Sequence, residues 1–117
     1  MPKVPKVPTA ATAEERARQA VSRLPAAALA GLREAFADEL ADRLPRLREA
    51  ARTLDPPLLT DALRDVHTLG SSAYVVGESD AARTARAAEA VLVGGGDLQT
   101  FARLVAELDG QLNGWRP

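Results

Sequence analysis

The chain has 117 residues, of which 46% are hydrophobic and 26% are charged, and its formal net charge is −1 at pH 7. This composition is typical of one soluble globular domain, and its mixed charges argue against a basic surface for nucleic acid. The absence of cysteine excludes disulfides and thiolate metal sites. No apolar run approaches the roughly 20 residues that span a bilayer, and the N-terminus has no signal-peptide pattern. We therefore expect a cytoplasmic protein that binds neither nucleic acid nor membrane.

Residues 1–11 are predicted to form a flexible arm. Prolines recur there at every third position with lysines between them, which suits an extended polyproline-like segment (Pro2, Lys3, Pro5, Lys6, Pro8). An inert leader is favoured over docking on an acidic partner, and both remain open. The first helix is predicted from Thr12 to about Leu24, because Thr12 to Glu15 has the pattern of a capping box.

A long amphipathic helix is predicted after Pro25, which suits a first helical turn. Its apolar residues recur at intervals of three and four (Leu29, Leu32, Phe36, Leu40, Leu44, Leu47, Ala51, Leu54). Pro45 lies inside this pattern, so we expect a kink between Ala41 and Leu44 without an end to the helix. The sequence Asp55-Pro56-Pro57 is expected to stop it.

The next helix is predicted from about Leu58 to Val76, closing on Gly77, and it carries the only histidine of the chain, His67. At 100° per residue its apolar residues form one arc centred near Val66 (Leu59, Ala62, Leu63, Val66, Leu69, Gly70, Ala73, Val76). His67 falls on the rim of this arc. Its ring is therefore expected to be supported by the helix and open to solvent.

Two further helices complete the pattern. Ser79 is a plausible N-cap for the first, whose inner face is mostly alanine and is expected to pack tightly on the His67 helix (Ala81, Ala82, Ala85, Ala88, Leu92). The glycines 94–96 form a break, and Asp97 is expected to cap the last helix. That helix carries a second apolar stripe (Leu98, Phe101, Leu104, Val105, Leu108, Leu112).

These elements predict an all-α fold, an antiparallel up-and-down four-helix bundle with an additional short N-terminal helix, spanning residues 12–117. A monomer is expected. A structural four-helix adaptor has the same pattern, so the fold does not select a function.

His67 is the first candidate for chemistry, because a neutral imidazole offers a nitrogen lone pair to an electrophile. The alternative is a rim or surface histidine that takes part in no chemistry. A lone histidine on a helix favours this alternative when nothing else is considered. Ser71 lies one turn along, but no oxyanion turn or nucleophile elbow accompanies it. A single histidine with scattered carboxylates predicts no metal site, and the triple glycine lacks the lysine and strand of a phosphate loop. No cofactor is expected.

The run from His67 to Gly77, His-Thr-Leu-Gly-Ser-Ser-Ala-Tyr-Val-Val-Gly, resembles the signature of histidine-containing phosphotransfer (HPt) domains, His-x-Leu-Lys-Gly-Ser-Ser/Ala followed by a second glycine. His67, Leu69, Ser72 and Gly77 match it. The likeness continues at Glu89, at the Gly-Asp turn before the last helix, and upstream at residues 47–55, so it covers roughly Leu29 to Leu112. Three positions depart from the signature: Gly70 replaces the usual lysine, Ser71 the usual glycine, and Tyr74 a small residue.

The resemblance implies that His67 is a phosphoryl carrier whose partner is a response-regulator receiver domain or a histidine kinase, and that the chain is a relay station and not a self-sufficient enzyme. Arg64, one turn before His67, is the nearest cation on the helix and a candidate to contact the phosphoryl group; a solvated helix residue is the equal alternative. Five residues are candidates for docking the partner (Leu63, Gly70, Ser71, Tyr74, Val75).

Two hypotheses of function follow from this pattern. The first is phosphorelay through His67. The second is a degenerate bundle that binds a receiver or kinase as an adaptor without carrying phosphate, for which the missing lysine at Gly70 is the argument. A lysine near the phosphorylated ring offsets the negative charge of the phosphoryl group. Its absence therefore predicts slower phosphoryl transfer unless another cation compensates.

Overall fold

The computed structural model describes residues 10–117, with side chains from Ala13 onward. Every regular element in this part of the chain is an α-helix. The five helices are α1 (Ala10–Ser22), α2 (Ala26–Thr53), α3 (Pro56–Val75), α4 (Ser79–Gly94) and α5 (Leu98–Leu112).

Helices α2 to α5 form a closed bundle. α2 packs on α3 and α5, α4 also packs on α3 and α5, and α1 lies against α3. Connections of two or three residues between successive helices from α2 onward require neighbouring helices to run antiparallel. The predicted all-α four-helix bundle with a short N-terminal helix is confirmed.

The bundle core is built from large side chains on three helices and small ones on the fourth. The largest fully buried side chains come from α2, α3 and α5 (Phe36, Leu47, Val66, Leu69, Phe101, Val105, Leu108, Leu112). α4 contributes the predicted alanine face, of which Ala81, Ala82, Ala85 and Ala88 are buried. Small residues on facing helices allow close approach. α3 and α4 therefore meet tightly, and the residues at the edges of this contact are brought close together.

The start of α3 differs from the prediction. α2 ends at Thr53, and Leu54 adopts a left-handed conformation with φ 56° while its N–H donates to the Ala50 carbonyl. Pro56 then opens α3 directly, two residues before the predicted start at Leu58. Prolines are tolerated in a first helical turn because the N–H groups there have no partner within the helix. The two prolines therefore end one helix and begin the next.

Pro45 does not interrupt α2, which is continuous from Ala26 to Thr53, as predicted. Pro25 lies immediately before the helix, at its N-cap. Leu44 and Leu47 on either side of Pro45 are both buried, so the apolar stripe continues past it.

The turn between α3 and α4 confirms one predicted signal and corrects another. Gly77 has φ 92°, and its N–H donates to the Tyr74 carbonyl while the Glu78 N–H donates to the Ala73 carbonyl. This is a Schellman ending, which favours glycine at the left-handed position. Ser79, predicted as the N-cap of α4, is instead its first residue; Glu78 holds the cap position without a side-chain cap bond. At α5 the predicted cap is present, since Asp97 accepts from the Gln99 N–H at 3.0 Å.

α1 begins at Ala10 and ends at Ser22, so the predicted helix of 12–24 is shifted by two residues. Thr12 consequently lies inside the helix and is not its N-cap. The last two residues of the predicted arm belong to α1, and residues 1–9 lie outside the described part of the chain. No helix within that part has the length and apolar character needed to cross a membrane.

Asp65 is a buried carboxylate at the α2–α3 contact, with 2% of its surface exposed. Arg43 Nη1 donates to Oδ1 at 2.7 Å, and Arg46 donates through Nη2 to Oδ1 at 2.9 Å and through Nε to Oδ2 at 3.1 Å. Burial by itself raises the pKa of Asp65, but the hydrogen bonds from Arg46 and Arg43 outweigh it and hold this pKa below its ordinary value. The carboxylate is therefore charged and fully paired at neutral pH.

Candidate functional site

His67 lies on the outer edge of α3, one position after the buried Val66. Because each residue turns the helix by 100°, burying Val66 and Leu69 carries the intervening His67 to the rim. Its side chain is 66% exposed. The predicted position on the rim of the apolar arc is confirmed.

Glu89 of α4 holds the His67 ring, with Oε2 2.8 Å from Nδ1. An ionised carboxylate only accepts hydrogen bonds, so this contact places a hydrogen on Nδ1. The other ring nitrogen, Nε2, has no hydrogen-bond partner within residues 13–117. The pair therefore orients the ring and leaves Nε2 accessible, and in the neutral imidazole it selects the tautomer with its lone pair on Nε2.

The position of Glu89 follows from the packing of α4. Ala85 and Ala88 are buried against the bundle, and Glu89, the next residue, comes out at the α3–α4 edge with its side chain 28% exposed. Sequence analysis noted Glu89 only as a position that resembles the HPt family. No residue spacing in the chain predicted its contact with His67. That contact depends on how far α4 is displaced along α3.

A shallow depression, here called the His67 depression, opens beside the histidine between α1, α3 and α4. It is lined by charged, polar and small apolar side chains (Glu14, His67, Ser71, Arg86, Glu89, Ala90, Val93). Glu14 closes it on the α1 side, where one carboxylate oxygen pairs with Arg86 and the other accepts from the Ser71 hydroxyl at 3.3 Å. The depression thus contains one guanidinium beside an accessible imidazole nitrogen.

Arg64 lies elsewhere. It lines a separate hollow on the α2 side of α3, together with Asp61 and the Asp65 network (Asp42, Arg43, Arg46, Asp65). Arg64 is a neighbour of His67 on the helix surface, but it lines this hollow on the α2 side and does not line the His67 depression. The cation that the fold brings into the His67 depression is Arg86, which sequence analysis did not single out.

The five predicted docking residues do not form one patch. Gly70 is buried against α4 and offers no surface to a partner. Leu63 lines a hollow with Leu92 and Leu98, whereas Val75 lines an apolar groove with Leu32 and Phe36. Twelve residues of helix separate Leu63 from Val75, which is about 18 Å.

Ser71 and Tyr74 lie partly beneath α1. The Ser71 hydroxyl is bound to Glu14, so the structure contains no Ser71–His67 hydrogen bond of the kind a nucleophilic pair needs. Arg18 and Arg86 both lie over the Tyr74 ring, 5.3 and 5.5 Å from its centroid. Within the described chain, no group of three or more His, Cys, Asp or Glu side chains is arranged to hold a metal ion.

Comparison with known families agrees with this architecture. The family model described as Hpt domain matches residues 31–116, which run from the second turn of α2 to beyond the end of α5. The chain therefore belongs to the Hpt domain family, whose members are phosphotransfer carriers of two-component signalling and interact with response regulators and kinases. No curated protein and no solved structure gives a significant match. α1 lies before the matched range.

Proposed function

We propose that His67 accepts a phosphoryl group on Nε2 from the aspartyl phosphate of a response-regulator receiver domain, and passes it to the aspartate of another. The observation that carries the proposal is the exposed imidazole whose Nδ1 is held by Glu89 at 2.8 Å. Membership of the Hpt domain family supports the same chemistry.

In the proposed step the Nε2 lone pair attacks phosphorus as the bond to the aspartyl oxygen breaks, and the carboxylate leaves with the bonding electron pair. In the neutral ring no proton has to move, because the hydrogen is on Nδ1 and the lone pair is on Nε2. The ring becomes positively charged, and the Glu89 carboxylate stabilises that charge through the hydrogen bond to Nδ1. The reverse step returns the phosphoryl group to a second receiver. Most positioning and charge stabilisation come from the receiver and its Mg²⁺.

The receiver is proposed to dock over the α3–α4 edge around His67. Val93 lies on this edge with 69% of its surface exposed, and Ala90, one turn before it, is also exposed. Together they provide apolar surface next to the reactive ring. Leu63 lies one turn before His67 and is half-buried, so it extends the same surface toward the α4–α5 turn.

The alternative is an adaptor that binds a receiver without carrying phosphate. It is favoured by one observation, the absence of the family's usual lysine at Gly70. Both functions need the docking surface, and only phosphorelay needs a free Nε2.

The proposal is tested with receiver domains from the same genome, each phosphorylated with a labelled small-molecule phosphodonor and mixed with the protein. We expect label to move from at least one receiver to this chain and to be acid-labile and alkali-stable, as phosphohistidine is. Binding of a receiver without any transfer of label would support the adaptor instead.

Glu89→Ala is expected to slow transfer from the receiver about tenfold, because the ring loses the carboxylate that orients it and stabilises its charge. A tenfold change corresponds to about 1.4 kcal/mol, close to the lower end of the range for hydrogen bonds to charged groups. Initial rates of label transfer measure it. Glu107→Ala, on the exposed face of α5, is the matched control and should leave the rate unchanged. An unaltered rate in Glu89→Ala would contradict the role given to Glu89.

A further inference from the structure

Arg86 lines the His67 depression from the neighbouring helix. It lies on α4 one turn before Glu89, the residue bonded to the His67 ring, and both line the His67 depression. Residues three apart on a helix share a face, so the Arg86 guanidinium and the Glu89 carboxylate project to the same side of α4. Among residues 13–117, Arg86 is the only cation that lines this depression.

The aliphatic part of Arg86 packs beside Gly70. A Cβ atom added at Gly70 would lie 3.7 Å from Arg86 Cγ and 3.4 Å from Ala85 Cβ. Gly70 is the third residue after His67, at the position where the HPt signature has its lysine. The Arg86 side chain therefore passes next to the point where a lysine side chain at position 70 would begin.

Arg86 is already bound to a competing anion. Its guanidinium pairs with Glu14 of α1. The guanidinium also lies over the Tyr74 ring, in a cation–π contact. A phosphoryl group on Nε2 brings close to two negative charges and three acceptor oxygens, which makes it a stronger partner for a planar guanidinium than one carboxylate. The Arg86 side chain is 40% exposed, so part of it faces solvent.

From these contacts we propose that Arg86 binds the phosphoryl group of phosphorylated His67, supplying from α4 the charge that the family's lysine supplies from α3. Glu14 occupies Arg86 before phosphorylation and competes with the phosphoryl group afterwards. The assignment rests on the proposed function, since it requires phosphorylation of His67. No bond is made or broken at Arg86, which acts by charge and hydrogen bonding alone.

The test uses the full chain phosphorylated chemically with phosphoramidate, so that it does not depend on any receiver. The ³¹P resonance of phosphohistidine is followed against pH. A nearby guanidinium favours the doubly charged phosphoryl group and lowers the titration midpoint. Arg86→Gln is therefore expected to raise the midpoint by about half a pH unit, and Glu14→Gln to lower it by a smaller amount.

Three variants serve as controls. Arg86→Lys keeps the charge and should leave the midpoint near that of the wild type. Arg83→Gln, on the exposed side of the same helix and paired with Asp80, should not move it. Gly70→Lys combined with Arg86→Gln should move the midpoint back toward the wild-type value, because the lysine returns a positive charge at the position where the family has one. If the double variant does not fold, the single variants still decide the matter.

Equal midpoints in wild type and Arg86→Gln would overturn the proposal, and so would an equal shift in Arg83→Gln, which would reveal only a long-range effect of net charge. A different result would contradict the proposed function: phosphoramidate labels His67, but no receiver exchanges the label with it. A shifted midpoint in Arg86→Gln would then still assign the phosphoryl contact to Arg86.

Discussion

His67→Gln is expected to abolish phosphoryl transfer to this chain entirely while leaving its fold intact. Glutamine has no nucleophilic nitrogen, and no other histidine is present to replace His67. The His67 side chain is 66% exposed, so its replacement removes almost no core contact and should change stability by less than about 0.5 kcal/mol. Label transfer from a phosphorylated receiver and the helical circular dichroism of the variant measure the two parts of this result.

Asp61→Ala is the matched control, because Asp61 is exposed on the same helix and lies outside the His67 depression. It should retain full labelling. Label that persists in His67→Gln would exclude His67 as the acceptor. Loss of helical signal in His67→Gln would show instead that the histidine supports the fold, against its exposed position on α3.

The second large effect is expected at Asp65. Asp65→Ala leaves the guanidinium groups of Arg43 and Arg46 at the α2–α3 contact without their shared acceptor. Breaking a buried ion pair typically costs 3–5 kcal/mol. Arg43 and Arg46 keep side-chain exposures of 21% and 47%, so water partly replaces the carboxylate and the cost should be near the lower end, about 3 kcal/mol. For a chain of this size that is a fall in Tm of roughly 10 °C.

Asp61→Ala provides the comparison, since Asp61 is an exposed aspartate one turn earlier on α3, and it should change stability by less than about 0.5 kcal/mol. Equal Tm values for Asp65→Ala and wild type would show that the buried network contributes nothing net. Thermal unfolding followed by circular dichroism decides between these results.

The contribution of Asp65 also depends on pH, with a sign set by its lowered pKa. A carboxyl whose pKa is lower in the folded than in the unfolded chain contributes its full stability above its ordinary value of 3.8. That contribution is lost as the pH falls through the lower, folded value. The gap in unfolding free energy between wild type and Asp65→Asn should therefore be constant near neutral pH and shrink below pH 3.8. A gap that widened in acid would contradict the pairing.

The local features of this chain were largely predictable. Apolar residues at intervals of three and four marked the four bundle helices, and Asp97 and Gly77 marked a cap and a helix end where the structure has them. The exposed position of His67 followed from the same periodicity. These features depend on the helical repeat and on bonds between residues a few positions apart, which the sequence specifies directly. The errors were also local: at Pro56 and Ser79 the true helix starts lie one or two residues from the predicted ones.

What lies around His67 was decided by the tertiary structure. The sequence by itself determined an all-helical bundle with one histidine on a rim, and it offered Arg64, the nearest cation on the same helix, as one candidate to contact the phosphoryl group. The folded chain instead brings Glu89 and Arg86 from α4 to the histidine and leaves Arg64 with the Asp65 network. The physical reason is that contacts between helices depend on their relative rotation and displacement. Here the alanine face of α4 packs on α3 at Gly70, and this contact sets the rotation and the displacement of α4 relative to α3. Residue spacing within one helix does not specify these two quantities.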